Sequence, residues 1–136
     1  MLKNWRGEEI VNKVMQKTAL AMDSVTIDCV THAKANVHVR TAVLQGGIQM
    51  RRTRLEKKGM LVGLWGVWAV LYAIYVEKGT RPHFPPVEAI RRSFKVTEQH
   101  AWAIARSIAR KGTKAYPYLM PAADVFYPTL KGRIKL

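Results

Sequence analysis

The feature that most limits the fold is a helical periodicity that continues from Glu8 to Asn36 without a proline. Apolar or weakly polar residues recur along it at spacings of three and four, which places them on one face of an α-helix. They are Val11, Met15, Thr18, Met22, Val25, Cys29 and Ala33. Such a helix spans about 43 Å. In a chain of 136 residues we therefore expect the segment 1–36 to extend past the core and offer surface to a neighbour.

Residues 46–70 are typical of a β-hairpin. A glycine pair precedes the first strand, so the sequence predicts a loop over 37–47. In the first strand, strict alternation puts Arg52 and Arg54 on one face and Arg51 on the other. The stretch "LEKKG" then supplies a turn whose glycine can adopt positive φ. The second strand carries no charge, so we predict one basic strand and one buried strand.

A charge-free run from Gly59 to Val76 is long enough to suggest a transmembrane helix. Gly63 and Gly66 weaken a helix, however, and both flanks of the run are basic. A strand that leads into a short helix near "YAIYVEKG" accounts for the run equally well. We therefore expect no membrane contact, and a membrane-anchored protein is the third of the functions considered.

Residues 71–129 are predicted to form a helical segment. Pro85 and Pro86 fit the first turn of one helix. Thr97 fits the N-cap of a second helix, and Gly112 fits the position just after its end.

The tail 130–136 alternates apolar and basic residues, which predicts a strand. The expected fold class is therefore α+β, in a single domain of residues 1–136. It has a long N-terminal helix, an antiparallel hairpin-based sheet that includes the C-terminal strand, and helices packed on one face.

Two short segments of the sequence repeat each other, "EKGTRPHFP" and "RKGTKAYPY". Each is predicted to begin at the end of a helix that a glycine closes, Gly79 in one and Gly112 in the other. A proline then forces an extended exit. The similarity is too short to indicate an internal duplication.

The amino-acid composition restricts the kind of partner that this protein can bind. The net charge is +14 and the isoelectric point is about 10.4, which indicates a polyanionic neighbour such as nucleic acid, a membrane surface or an acidic protein. The single cysteine, Cys29, excludes an internal disulfide and is expected to be a buried thiol. The N-terminal sequence lacks the apolar run of a signal peptide, which favours synthesis in a reducing cytoplasm.

No motif of a known catalytic chemistry is present in the sequence. The four histidines have no metal-ligand spacing with cysteine or acidic residues. They are His32, His38, His83 and His100. There is no P-loop, dinucleotide fingerprint or Gly-x-Ser-x-Gly motif. We therefore expect no enzymatic activity, no metal and no cofactor.

Nucleic-acid binding is the main alternative function. A run of basic residues in the hairpin could contact DNA phosphates or an acidic partner: Arg51, Arg52, Arg54, Lys57 and Lys58. The pair of helices predicted over 86–112 loosely suggests a helix-turn-helix. The positive charge is spread over every element, however, so a small basic protein of this kind would make generic phosphate contacts without reading sequence.

Residues 72–123 resemble a known protein family. The stretch "YAIYVEKGTRPHFPPVEAI" and, after a short gap, "AWAIARSIARKGTKAYPYLMPAAD" are similar to the small neck proteins of tailed bacteriophages, which are called tail-component, tail-completion or head–tail joining proteins. The matching positions are Tyr72, Val76 to His83, Pro85 to Val87, Ala101 to Arg106, Gly112, Thr113 and Pro117 to Ala122. Upstream the chain departs from the family, because Arg40 and Ala42 replace the Asp and Gly of a Val-Asp-Thr-Gly-x-Leu motif.

The resemblance implies a structural protein of the virion, made in the host cytoplasm and located in the neck or at the top of the tail. Identical subunits would form a ring, with a hexamer as the expected form, stacked on connector, tail-tube or tail-terminator proteins around the DNA channel. Non-specific contact with the genomic DNA is expected there. The interface residues expected from this role are Arg81, Pro82, His83, Phe84, Pro85, Pro86, Tyr116, Tyr118 and Phe126.

Overall fold

The chain consists of helices and one antiparallel sheet, and it divides into two compact units. A computed structural model describes residues 6–37 and 42–135, apart from the side chain of Lys58. One unit comprises Met1–Val70 with Tyr118–Leu136, and the other comprises Leu71–Pro117. The predicted α+β class, with a long N-terminal helix, a two-stranded hairpin and further helices, is confirmed.

The predicted N-terminal helix is confirmed as α1, which spans Gly7–Asn36. Its second half contributes Val25, Cys29 and Ala33 to the core, each at most 4% exposed. Val11 belongs to the same predicted face, yet it is 58% exposed. The first turns of α1 therefore extend past the core of the unit.

The predicted hairpin is also confirmed, but the prediction that its second strand is buried is wrong, because no residue of that strand is fully buried. Strand β1 (Ile48–Leu55) pairs antiparallel with β2 (Leu61–Val67) through a 3-10 turn at Lys57–Gly59. Gly59 has a φ of 74°, the positive value that its place in the turn predicts. One face of the hairpin packs on α1, where Ile48 is fully buried.

The segment before β1 differs from the predicted loop. Residues 38–41 lie outside the described residues, and Ala42–Gly47 forms a short helix, α2, that leads directly into β1. A Cβ on Gly47 would come within 2.7 Å of the Val70 side chain and 3.1 Å of the Trp68 carbonyl oxygen. This glycine therefore permits close packing beside the end of β2, and it does not form the predicted loop.

A β-bulge between Arg51 and Arg54 changes the predicted faces of β1. These two arginines pair with β2 residues that are two apart, so both project from the face opposite α1. Asp23 of α1 holds the bulge, because its Oδ1 accepts a hydrogen bond from the Thr53 N–H at 2.7 Å. Strict alternation, which put Arg51 and Arg54 on opposite faces, was wrong for this reason.

The predicted C-terminal strand over 130–136 is wrong. The helix α6 (Met120–Phe126) and a 3-10 turn (Tyr127–Thr129) lead into this segment, which begins with a third helical turn, α7 (Leu130–Arg133). Ile134 and Lys135 belong to no helix or strand, and residue 136 lies outside the described residues. From α7, Arg133 donates to Asp28 Oδ2 at 2.6 Å and to Ser24 Oγ at 2.8 Å, and both acceptors are on α1. These contacts anchor α7 to α1, which the short alternating pattern does not reveal.

The unit Leu71–Pro117 has its own small core. Its helices are α3 (Ala73–Lys78), α4 (Val87–Phe94) and α5 (Glu98–Lys111). Thr97 is the N-cap of α5 as predicted, and its Oγ1 accepts from the His100 N–H at 3.4 Å. The core is formed by Ile90, Ala101 and Ala105, surrounded by Val87, Val96, Ile104 and Ile108.

Candidate interaction surface

The two Lys-Gly-Thr segments that repeat in the sequence pair with each other. Thr80 and Thr113 form an antiparallel bridge in which the N–H of each donates to the carbonyl oxygen of the other, at 3.1 and 3.3 Å. Their hydroxyl oxygens lie 2.9 Å apart. This Thr80–Thr113 junction joins the ends of α3 and α5. The repeat therefore has a tertiary role in addition to ending two helices.

Gly79 and Gly112 make the junction feasible. Their φ values are 70° and 73°, with ψ of −176° and −163°, a region that is open essentially only to glycine. A Cβ on Gly79 would collide with the carbonyl oxygen of Thr113, and a Cβ on Gly112 would collide with that of Thr80. Each glycine thus ends its helix and lets the opposite backbone approach.

The junction also gathers four exposed basic side chains, because each Thr is flanked by two of them. They are Lys78, Arg81, Lys111 and Lys114. Within the described part of the chain, none of the four belongs to a salt bridge. The negative ends of the α3 and α5 dipoles favour cations at this place. The junction is therefore an exposed cationic site.

The loop Arg81–Pro86 leads from the junction to α4. The His83 N–H donates to the Ile108 carbonyl oxygen at 3.4 Å, and His83 Nδ1 lies 2.9 Å from the Arg81 carbonyl oxygen. Three prolines fix φ at further positions. The side chains from Arg81 to Phe84 are nevertheless exposed, Phe84 to 56%. The loop is braced against α5 of its own unit, and its side chains remain accessible.

The outer face of α5 continues this surface. The Phe84 and Trp102 rings lie 5.8 Å apart at an angle of 51°, and Trp102 is 42% exposed. Spacings of four place Arg106 and Arg110 on the same helix face as Trp102. A shallow cleft on this face is lined by Gln99, Trp102, Ala103 and Arg106. Aromatic and cationic groups are thus combined on one side of α5.

A second basic surface is the outer face of the hairpin, in the other unit. The Arg51 guanidinium lies 5.2 Å from the centre of the Trp68 ring. Arg54 Nε donates to Glu56 Oε1 at 2.6 Å, which partly neutralises that arginine. The side chain of Lys58 lies outside the described residues. The other predicted basic residues of the hairpin are all exposed: Arg51, Arg52, Arg54 and Lys57.

The predicted aromatic contacts have three different environments. Tyr116 is 47% exposed, and Lys114 Nζ lies 5.9 Å from its ring centre. Tyr118 is 0% exposed, which contradicts its prediction as an interface residue, because its ring is buried within the subunit. Phe126 is half-buried and packs edge-to-face on His32 of α1, with ring centres 5.7 Å apart. Its ring is therefore committed largely to a contact within the subunit.

The prediction of a buried thiol at Cys29 is confirmed. The side chain is fully buried, and its Sγ–H donates to the Ala122 carbonyl oxygen at 3.7 Å. Burial, and then the charge of Asp28, raise the pKa of this thiol. The described residues contain no group of three or more His, Cys, Asp or Glu that could hold a metal ion. No described helix combines the length and the apolar composition needed to cross a membrane.

Sequence reasoning missed two parts of the surface. The pairing of Thr80 with Thr113 was not predicted, although the repeat was visible. The aromatic and basic face of α5 could have been found from the spacing of four that joins Trp102, Arg106 and Arg110.

Comparison with known proteins identifies no relative of this chain. No family model, no curated protein and no solved structure matches it.

Proposed function

We propose that this protein is a structural component of a tailed-phage particle that forms a ring of identical copies at the head–tail junction or at the top of the tail. The resemblance over residues 72–123 motivates the proposal. The observation that carries it is the loop Arg81–Pro86, which exposes arginine, histidine and phenylalanine side chains on a backbone held by the Thr80–Thr113 junction.

A braced loop of this kind suits assembly. Because its backbone is already restricted, little conformational entropy is lost when it docks on an adjacent subunit or an adjacent ring. Ring interfaces join different patches of identical copies, so a feature on one side of a subunit meets another side of the next. Arg81 offers a forked donor to carboxylates, and Phe84 offers an aromatic anchor.

In this role the protein would act by binding alone, without a cofactor. Its partners would be other copies of itself and the connector, tail-tube or tail-terminator proteins next to it. Its net charge of +14 would also attract the DNA that passes through the channel.

A small basic nucleic-acid-binding protein is the second candidate. The outer hairpin face favours it, because the bulge puts Arg51 and Arg54 on one side of the sheet. Such a face would contact phosphates and would bind DNA with strong salt dependence and little sequence preference.

Sedimentation velocity of the nuclease-treated protein in dilute salt separates these functions. A discrete species of several copies, free of nucleic acid, is expected for a ring protein. A monomer that changes its sedimentation only when DNA is added would overturn the ring proposal and favour the second candidate. Extraction only by detergent would overturn both in favour of a membrane-anchored protein.

A further inference from the structure

One surface of the unit Leu71–Pro117 leads from an aromatic pair to a cluster of cations. Phe84 and Trp102 lie at one end. Arg106 and Arg110 follow on successive turns of α5. The helix then ends at the Thr80–Thr113 junction, where four further cations are exposed.

The unit does not neutralise this positive charge. Residues 71–117 contain nine Lys or Arg side chains and three Glu. Glu88 forms salt bridges with Arg91 and Arg92 of α4, at 2.8 and 2.9 Å. Within the described chain, Arg106, Arg110 and the junction cations take part in no salt bridge. An acidic ligand would therefore find these groups available.

A second copy of the chain is a poor source of the counter-charge. The chain has nine acidic residues against 23 basic ones. Several of the acids are already engaged within the subunit: Asp23 with the Thr53 N–H, Asp28 with Arg133, Glu56 with Arg54, and Glu88 with the α4 arginines. Bringing two such cationic surfaces together costs electrostatic energy. The partner on this face is therefore a different, acidic molecule.

The carboxylate of Glu98 makes a peptide a better ligand for this face than a nucleic acid. It lies in the first turn of α5, one helical turn before Trp102. A phosphate backbone is charged along its whole length and would meet this carboxylate as it passes the aromatic cleft. A peptide can place an uncharged aromatic residue in the cleft and confine its carboxylates to the side of Arg106 and Arg110.

The geometry of α5 also sets the spacing of the ligand side chains that can contact it. Four residues of an α-helix rise about 6 Å, and two residues of an extended chain span about 6.6 Å. An extended segment along α5 would therefore meet Trp102, Arg106 and Arg110 with every second side chain.

We propose that this face of α5 binds an extended acidic segment of a different protein, in which an aromatic residue is followed by acidic residues at alternate positions. The proposal rests on the proposed role of this unit as a contact surface in an assembly. It assigns a partner chemistry to Trp102, Arg106 and Arg110 of α5, and it leaves the contacts between identical copies to Arg81 and Phe84 of the neighbouring loop.

Two fluorescent peptides, Tyr-Ser-Glu-Ser-Glu and Ser-Ser-Glu-Ser-Glu, test the site when they are titrated into the full-length protein at low ionic strength. The tyrosine peptide should bind more tightly and should shift the NMR signal of the Trp102 indole N–H more than those of Trp65 and Trp68. A Trp102→Phe variant identifies the signal. Because exposed ion pairs are weak, Arg106→Gln should reduce the affinity about two- to five-fold.

Arg52→Gln is the matched control, since it removes one exposed charge from the hairpin in the other unit. It should leave the affinity for the tyrosine peptide unchanged. Equal losses in both variants would show that only net charge matters and would overturn the proposal, as would equal affinity for the two peptides. A short DNA duplex that displaces the tyrosine peptide and shifts the Trp102 signal more strongly would assign the face to nucleic acid and also overturn it.

The peptide titration and the sedimentation test of the ring can fail independently of each other. A monomer that binds the tyrosine peptide as described would refute the ring and support this site. A ring that binds neither peptide would overturn this site alone.

Discussion

Replacing Gly112 with Ala tests whether the Thr80–Thr113 junction depends on glycine for the two reasons given. The backbone there has a φ of 73° and a ψ of −163°, so Ala costs about 1–3 kcal/mol in strain. Its Cβ would also collide with the Thr80 carbonyl oxygen. The two backbone hydrogen bonds of the junction would then be lost, at about 1 kcal/mol each. We expect the free energy of unfolding of this region to fall by about 3–5 kcal/mol.

Substitutions at two other glycines separate the cost of backbone strain from the cost of a steric collision. Gly59 has a φ of 74°, but no atom lies within 4 Å of the position of its Cβ, so Gly59→Ala should cost only the left-handed strain of about 1–2 kcal/mol. Gly132 in α7 has neither a positive φ nor a neighbour within 4 Å. Gly132→Ala should be neutral or should stabilise the protein by up to about 1 kcal/mol, because it restricts the unfolded chain.

Urea unfolding followed by circular dichroism gives the change in the free energy of unfolding for each of the three variants. Hydrogen exchange of the Thr80 and Thr113 amides reports directly on whether the junction is formed. Both amides should exchange slowly in the wild-type protein and quickly in Gly112→Ala. The reasoning is refuted if Gly112→Ala loses no more stability than Gly59→Ala while both amides stay protected.

Three further changes test other parts of the molecule. Replacing Arg81 and Phe84 together with Ala should leave the fold intact and lower the unfolding midpoint only slightly, because both side chains are exposed and the main packing lost is the ring contact of Phe84 with Trp102, and it should abolish the multi-copy species in sedimentation. An unchanged oligomer would remove the loop from the interface. Hydrogen bonds from Arg91, and then from Arg92, lower the pKa of Glu88 from 4.5 to about 2, so its stabilising contribution is complete above pH 4.5 and is lost as the pH falls towards 2. An NMR titration of its carboxyl group with a midpoint near 4.5 would contradict this pairing. Thr53→Val should raise the free energy of unfolding by about 1 kcal/mol, because Thr53 Oγ1 is buried without a hydrogen-bond partner among the described residues. A lower urea midpoint in that variant would count against this account of the hydroxyl.

Features that depend on neighbouring residues in the sequence were predictable. The apolar periodicity gave α1, and the Lys-Lys-Gly turn gave the hairpin. Thr97 and Gly112 marked the two ends of α5. In each case the physical cause, whether a repeating face, a positive φ or a capping hydroxyl, acts within a few residues of the position that it determines.

Features that depend on distant contacts were not predictable. The bulge in β1 is held by Asp23, which lies 30 residues before Thr53. The helical turn α7 is held against α1 by Arg133, which reaches Asp28 and Ser24. Tyr118 occurs in a segment of alternating aromatics and prolines, and nothing in that pattern separates a buried ring from an exposed one. Tertiary contacts decided all three.

The Thr80–Thr113 junction links the rigidity of the loop to its charge. Each Lys-Gly-Thr segment supplies the glycine that lets the backbones meet and the lysine that remains exposed beside them. Pairing the segments therefore fixes the start of the loop Arg81–Pro86 and at the same time concentrates like charges, whose repulsion opposes the pairing. An acidic partner that neutralises these cations would remove that repulsion. Binding at the junction should thus strengthen its hydrogen bonds and further restrict the loop, so that the proposed acidic partner would pre-order the loop for its proposed contact with another copy.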